Sequence, residues 1–192
     1  MLRYCLLVLA ICCYGVVAAQ KQYSFQAIQR KGLQYLTEES DGKALKEHKA
    51  ALFLFLSPEC PLCKNYGLVL KRIYEEYGSR IQMIGIFPGS GYSAEEIKNY
   101  LNKYGIGFSA AVDPKFKLSS YLEATITPEA VLIDPEGWML YRGAIDDWVV
   151  TLGRKKVHPE KEYLKDAIAQ YLSHNPVLIR QTSPKGCLIN EF

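Results

Sequence analysis

The chain has 192 residues, 49% hydrophobic and 22% charged, long enough to bury a real core and of a composition that excludes disorder. Its 23 Lys and Arg against 20 Asp and Glu leave a net charge of +3. The charges are spread along the chain, and with no basic stripe nucleic acid is not an expected partner.

The N-terminus opens on a basic Met1-Leu2-Arg3, followed after Tyr4 by the apolar run CLLVLAICCYGVV and Ala18-Ala19-Gln20. Basic start, short apolar stretch and small residues before a cut predict a secretory signal peptide over residues 1–19. The run is short for a membrane helix, so the expected mature chain, 20–192, is exported and carries no stable membrane span. Cys12 is a weak lipidation candidate, because Ile11 stands where a small residue is wanted. Cleavage removes Cys5, Cys12 and Cys13, leaving Cys60, Cys63 and Cys187 of the six cysteines. Three are too few for a disulfide-stapled scaffold, and the odd number in an oxidising compartment leaves one thiol to explain.

Residues 23–49 read as an irregular start with short strands around a turn at Ser40-Asp41-Gly42. Ala50–Leu56 is an unbroken apolar run, the pattern of a strand buried on both faces. Leu62, Tyr66, Val69, Leu70, Ile73 and Tyr77 then fall at helical spacing up to Gly78. A second strand is predicted over Ile81–Phe87, and Ser93-Ala94-Glu95-Glu96 is a capping box for a helix to about Tyr104. Phe108–Val112 reads as a third strand, and Asp113-Pro114 as the start of a helix over about Lys115–Glu123. Val131–Asp134 and Trp138–Arg142 form a hairpin around Pro135-Glu136-Gly137. A last helix over Pro159–Ser173 precedes a tail from about residue 175. Alternating strands and helices, then a hairpin, predict one α/β domain: a mixed central sheet with helices on both faces.

Cys60-Pro61-Leu62-Cys63 stands at the junction of the buried strand and the first long helix. With Cys60 at the N-cap, Pro61 takes the first helical position, and the Leu62 and Cys63 amides point back at the Cys60 sulfur. Those donors and the positive helix end favour the thiolate. Cys63 lies one turn on, within reach of a disulfide, so Cys60 is the candidate nucleophile and Cys63 the resolving thiol. Glu59 opposes this as a like charge, and Leu54 leaves the preceding strand without a carboxylate proton acceptor. A structural disulfide and metal ligation are the competing uses of the pair. A zinc site wants a second ligand pair, which the sequence lacks; His158 is the one histidine in a loop able to approach the cysteines. A second marker is Thr125-Ile126-Thr127-Pro128-Glu129, where a proline enters an apolar strand over Ala130–Ile133, a place tolerated only at a strand start or edge.

The sequence resembles the thioredoxin superfamily, and more narrowly its exported redoxin-domain proteins of the TlpA/ResA-like and AhpC/TSA-like branches. FLSPECPLC matches the family's strand-to-cysteine turn, and TPEAVLIDPEG its cis-proline, strand and hairpin turn. YRGAIDDW, GRKK and the GCLI tail resemble a more restricted bacterial subgroup, and together the matches span about residues 23–190. The resemblance implies a thioredoxin-like three-layer sandwich, a bacterial, periplasmic or secreted location, no organic cofactor, and protein thiols or disulfides as partners. It implies Cys60 as attacking thiol, Cys63 as resolver, a cis Pro128 packed over the disulfide, and a Thr127 backbone that pairs with the partner's peptide. Two departures stand out. Glu59 replaces the tryptophan usual before the first cysteine, and Phe53 occupies the proline position of the peroxiredoxin pattern, although Ser57 fills its Thr/Ser position. A peroxiredoxin-like peroxidase is thus one alternative function, with Arg142 as the candidate thiolate-stabilising arginine. A Sco-like copper-handling module, with Cys60, Cys63 and His158 as ligands, is the other. Cys187 is open between an inert thiol, a third redox thiol and an intermolecular partner. Asp146-Asp147-Trp148 reads as a loop anchor, the tryptophan packing and the carboxylates capping.

Overall fold

Six consecutive apolar residues, Ala50–Phe55, form a strand with no exposed side chain, and the rest of the fold is layered about it. The computed structural model describes residues 21–36, 49–151 and 153–189; the expected signal peptide, the turn at residues 40–42 and His48 lie outside the described residues. In chain order the elements are α1 (Phe25–Gln29), β1 (Gln34–Tyr35), β2 (Ala50–Phe55), α2 (Pro61–Tyr77), β3 (Ile81–Pro88), α3 (Ala94–Tyr104), β4 (Ser109–Asp113) and α4 (Lys117–Tyr121). There follow β5 (Ile126–Thr127), β6 (Glu129–Ile133), β7 (Met139–Gly143), β8 (Val149–Thr151), β9 (Arg154–Lys155), α5 (Tyr163–Leu172) and β10 (Cys187–Leu188).

The main sheet has the order β1-β4-β3-β2-β6-β7, with β2, β3 and β4 parallel and the outer pairs antiparallel. Strand alternation divides the core in two. Ala50, Leu52 and Leu54 of β2 face one layer with α2, α3 and α5, while Ala51, Phe53 and Phe55 face the other with α1 and α4. Each fully buried Leu, Ile or Phe contributes about 1.5–3 kcal/mol relative to exposure, which is why a strand this apolar takes the centre and not an edge. This is the mixed three-layer α/β sandwich that the alternation predicts. Among the described residues no helix is long and apolar enough to cross a membrane.

Element ends differ from the sequence expectation where side chains capture backbone. The helix expected from Lys115 begins at Lys117, because Asp113 Oδ2 accepts from the amides of Leu118 (3.0 Å) and Ser119 (2.8 Å) and from the Ser119 hydroxyl. The last helix starts at Tyr163 rather than Pro159, since Asp147 Oδ1 accepts from the Glu160 and Lys161 amides and holds that stretch as a loop. α3 carries the expected capping box, with the Ser93 hydroxyl on the Glu96 amide and the Glu96 carboxylate on the Ser93 amide.

The tail is built into the sheet. Arg142 N–H donates to the Arg180 carbonyl, Thr182 N–H donates to the Arg142 carbonyl, and the Thr182 hydroxyl accepts from the Ala144 amide. This covers the outer edge of β7, and the chain then crosses to pair β10 with β5.

Candidate active site

β2 ends at Phe55, and the turn Leu56–Glu59 delivers Cys60 to the N-terminus of α2. The turn is fastened by Ser57, whose carbonyl and hydroxyl both accept from the Cys60 amide at 3.2 Å, and whose hydroxyl also pairs with Tyr92 Oη at 2.8 Å. Cys60 is the N-cap, with extended backbone (φ −64°, ψ 118°) and Pro61 at the first helical position. Its sulfur differs from expectation in one respect: it closes no capping hydrogen bond of ordinary geometry with the first-turn amides. Instead it lies against the Thr127 carbonyl at 3.2 Å and the Cys187 sulfur at 2.6 Å.

These surroundings favour the thiolate. The Cys63 thiol is the largest influence, followed after the opposing effect of burial by the Cys187 thiol and the Cys63 and Leu62 amides, and Cys60 is lowered to about 4. Cys63 moves the other way. Burial first, and then the neighbouring Cys60 charge, raise it well above the ordinary thiol value, although its sulfur accepts from the Ser57 amide at 3.4 Å. Cys187 is pushed up to about 12 by burial and by Cys60. Cys60, Cys63 and Cys187 form no disulfide, and the opposite directions of their shifts make Cys60 the one that ionises most readily.

The wall opposite is β5. The Thr127–Pro128 peptide bond is cis, and Thr127 presents its carbonyl to Cys60. Sequence reasoning missed what steadies this strand. Glu129 is 2% exposed, and its Oε2 accepts from the amides of Thr125 (2.9 Å) and Ile126 (3.4 Å). Its Oε1 accepts from Arg142 Nε at 3.3 Å. Arg142 also bonds the Glu123 carboxylate at 2.7 Å and the Glu123 carbonyl. The Arg142 guanidinium, the candidate for stabilising the thiolate, is held by two carboxylates and through Glu129 supports β5. The signal for this lay in Glu129 itself, a carboxylate opening an otherwise apolar strand, which needs a cation and amides if it is to be buried.

Glu59 is exposed on the rim of a cleft of about 600 Å³ that is also lined by the buried Cys60 and by Tyr92 and Phe116. His158 lies on an exposed turn after β9, and among the described residues no three His, Cys, Asp or Glu side chains gather as a metal site. The copper ligand set of Cys60, Cys63 and His158 is thus not assembled, because β8 and β9 carry His158 elsewhere. Asp146 Oδ1 accepts from Tyr66 Oη at 2.5 Å and the Trp148 amide at 2.9 Å, Asp147 pairs with Lys156 at 2.6 Å, and Trp148 packs edge-on against Tyr66. This group anchors the loop after β7 to α2.

The profile of the AhpC/TSA family matches residues 21–142, from before α1 to Arg142 in β7. The chain belongs to the AhpC/TSA family. No curated protein matches it. An uncharacterized conserved protein from Geobacillus kaustophilus superposes with a TM-score of 0.70 at 22% identity, over 82% of this chain and 86% of that one. A hypothetical protein from Sinorhizobium meliloti gives 0.68 at 24%, over 76% and 81%. A secreted Mycobacterium tuberculosis disulfide oxidoreductase homologous to E. coli DsbE gives 0.52 at 15%, over 77% and 98%. At these identities the likeness establishes the fold, which is thioredoxin-like.

Proposed function

We propose that this redoxin-domain chain is an exported thiol–disulfide oxidoreductase acting on protein thiols and disulfides, without an organic cofactor. The observation that carries the reading is the Cys60 sulfur at the N-cap of α2, 3.2 Å from the Thr127 carbonyl of a strand edge, in surroundings that lower its pKa to about 4. A thiolate so placed attacks a partner disulfide whose peptide lies along β5, giving a mixed disulfide to Cys60 and releasing the partner's other sulfur as a thiol. Cys63, one helical turn on and protonated, then attacks the Cys60 sulfur as its thiolate. It releases the partner's second thiol and leaves a Cys60–Cys63 disulfide. Run backwards, the same steps oxidise a partner dithiol.

Membership of the AhpC/TSA family favours a second reading, a thiol peroxidase using the same Cys60. Phe53 and the commitment of Arg142 to Glu123 and Glu129 count against it. Both are tested on the full chain carrying Cys5→Ser, Cys12→Ser and Cys13→Ser. Turnover of a protein disulfide should vanish in Cys60→Ser, and hydrogen peroxide should be consumed no faster than by a free thiol. Retained disulfide turnover in Cys60→Ser refutes the main reading; peroxide turnover lost with Cys60 establishes the second.

A further inference from the structure

The edge of β5 that the proposed mechanism offers to a partner is already occupied by this chain's own C-terminus. β10 runs antiparallel to β5, with Cys187 opposite Thr127 and Leu188 opposite Ile126. The Ile189 amide donates to the Thr125 carbonyl at 2.9 Å, and the Thr127 hydroxyl donates to the Cys187 carbonyl at 3.5 Å. Ile189 packs on the α1 and α4 layer while Leu188 points out, 70% exposed. The Cys187 sulfur is delivered to 2.6 Å from that of Cys60. A peptide bound for thiol–disulfide exchange needs each of these features: a strand ladder for register, one anchoring apolar side chain, and sulfur set against sulfur.

We infer that Gly186–Ile189 is a tethered substrate strand, and that its Cys187 exchanges with the Cys60–Cys63 disulfide to form an internal Cys60–Cys187 disulfide. This rests on Cys60 being the attacking thiol proposed above. In the oxidised chain the Cys187 thiolate attacks the Cys60 sulfur. The 187–60 bond forms, the 60–63 bond breaks, and the electron pair leaves with Cys63, which takes up the proton Cys187 has lost. One disulfide and one thiol stand on each side, so no external oxidant or reductant enters. The buried Cys63 thiol, raised well above the ordinary range, favours holding that proton.

The same geometry names the class of external partner. A Cβ on Gly186 would stand 2.0 Å from the Thr127 carbonyl oxygen, a backbone atom with no rotamer to escape into. A partner that displaces the tail must therefore present an extended cysteine peptide with glycine before the cysteine and an apolar residue two after it.

The test uses the full chain with Cys5→Ser, Cys12→Ser and Cys13→Ser, equilibrated in a glutathione redox buffer. After acid quench and alkylation, tandem mass spectrometry locates each disulfide. Both Cys60–Cys63 and intrachain Cys60–Cys187 bonds should appear. Gly186→Val should lower the second at least tenfold and keep the first, and Cys63→Ser should collect the second. Absence of an intrachain Cys60–Cys187 bond overturns the inference, as does a bond of Cys187 to Cys63, or one to Cys60 at an unchanged level in Gly186→Val. If such a result comes with turnover that Cys60→Ser abolishes, only the inference fails and the oxidoreductase reading stands. For the partner class, Cys187→Ser should release glutathione from glutathionylated Lys-Gly-Cys-Leu-Ile-Asn at least tenfold faster than from the Lys-Val-Cys variant; equal rates overturn that assignment.

Discussion

Two neighbouring cysteines in one helical turn acquire opposite acidities from their positions. Cys60, at the helix end with two thiols and two amides around its sulfur, is lowered to about 4; Cys63, buried behind it, is raised. The ordinary thiol value of 9.0 defines the window in which this difference is visible. An acid strengthened by folding adds stability to the reduced chain once it ionises in the native state. That contribution is fully present above about pH 9, shrinks as pH falls through the window, and is gone below about 4. Cys63 and Cys187 are both raised, so they stay protonated across the same window and leave Cys60 as the thiol that titrates there. The urea midpoint of the reduced chain should therefore rise with pH relative to that of Cys60→Ser between pH 4 and 9. Iodoacetamide should alkylate Cys60 with a midpoint near 4. A midpoint in the ordinary thiol range would mean that the helix end and the two thiols do not stabilise the charge.

At the scale of elements, the site depends on a two-residue strand that has few contacts of its own. Among the described residues β5 pairs only with β10, and it is fixed from below by Glu129, whose two oxygens serve the Thr125 and Ile126 amides on one side and Arg142 on the other. Glu129→Gln keeps the size but puts an NH2 group against either the amides or the guanidinium, leaving buried donors facing donors. A loss of about 1–3 kcal/mol in urea unfolding is expected, together with slower disulfide turnover and an unchanged pH midpoint for Cys60 alkylation. A shifted midpoint would instead place Glu129 in the electrostatics of the thiol. The contrast between β2 and β5 also explains what the sequence could reveal. β2 and α2 announce themselves because periodicity and burial are local properties: AALFLF admits few other readings, and Pro61 with Gly78 marks the ends of α2. β5 and β10 are two residues each, and they exist because residues 126–127 and 187–188 meet, a long-range pairing that leaves no periodic trace. The partners of Arg142 are hidden for the same reason, since its guanidinium can reach several groups and only the fold shows that two carboxylates hold it.

At the scale of the whole molecule, the C-terminal segment does two separable jobs. Residues 180–182 cover the outer edge of β7, where an unpaired strand would offer itself to another chain, and residues 187–189 fill the β5 edge beside Cys60. The first job rests on three hydrogen bonds: Arg142 N–H to Arg180, Thr182 N–H to Arg142, and Ala144 N–H to the Thr182 hydroxyl. The Tyr141 hydroxyl, 2.6 Å from the Thr182 Oγ1, adds a fourth contact inside the same joint. At about 1 kcal/mol net for each hydrogen bond, a chain stopped after His174 should lose about 3 kcal/mol or more of stability and self-associate through the bared edge of β7. A chain stopped after Ser183 keeps every one of those bonds while shedding β10. It gives up the Ile189–Thr125 and Thr127–Cys187 bonds, about 2 kcal/mol by the same reckoning, and should lose no more than that, run as the same species on gel filtration, and leave Cys60 more open to a bulky maleimide. Equal stability of the two truncations would show that the β7 edge does not need its cover. A large loss on stopping after Ser183 would mean that β10 holds the fold together as well as closing the site.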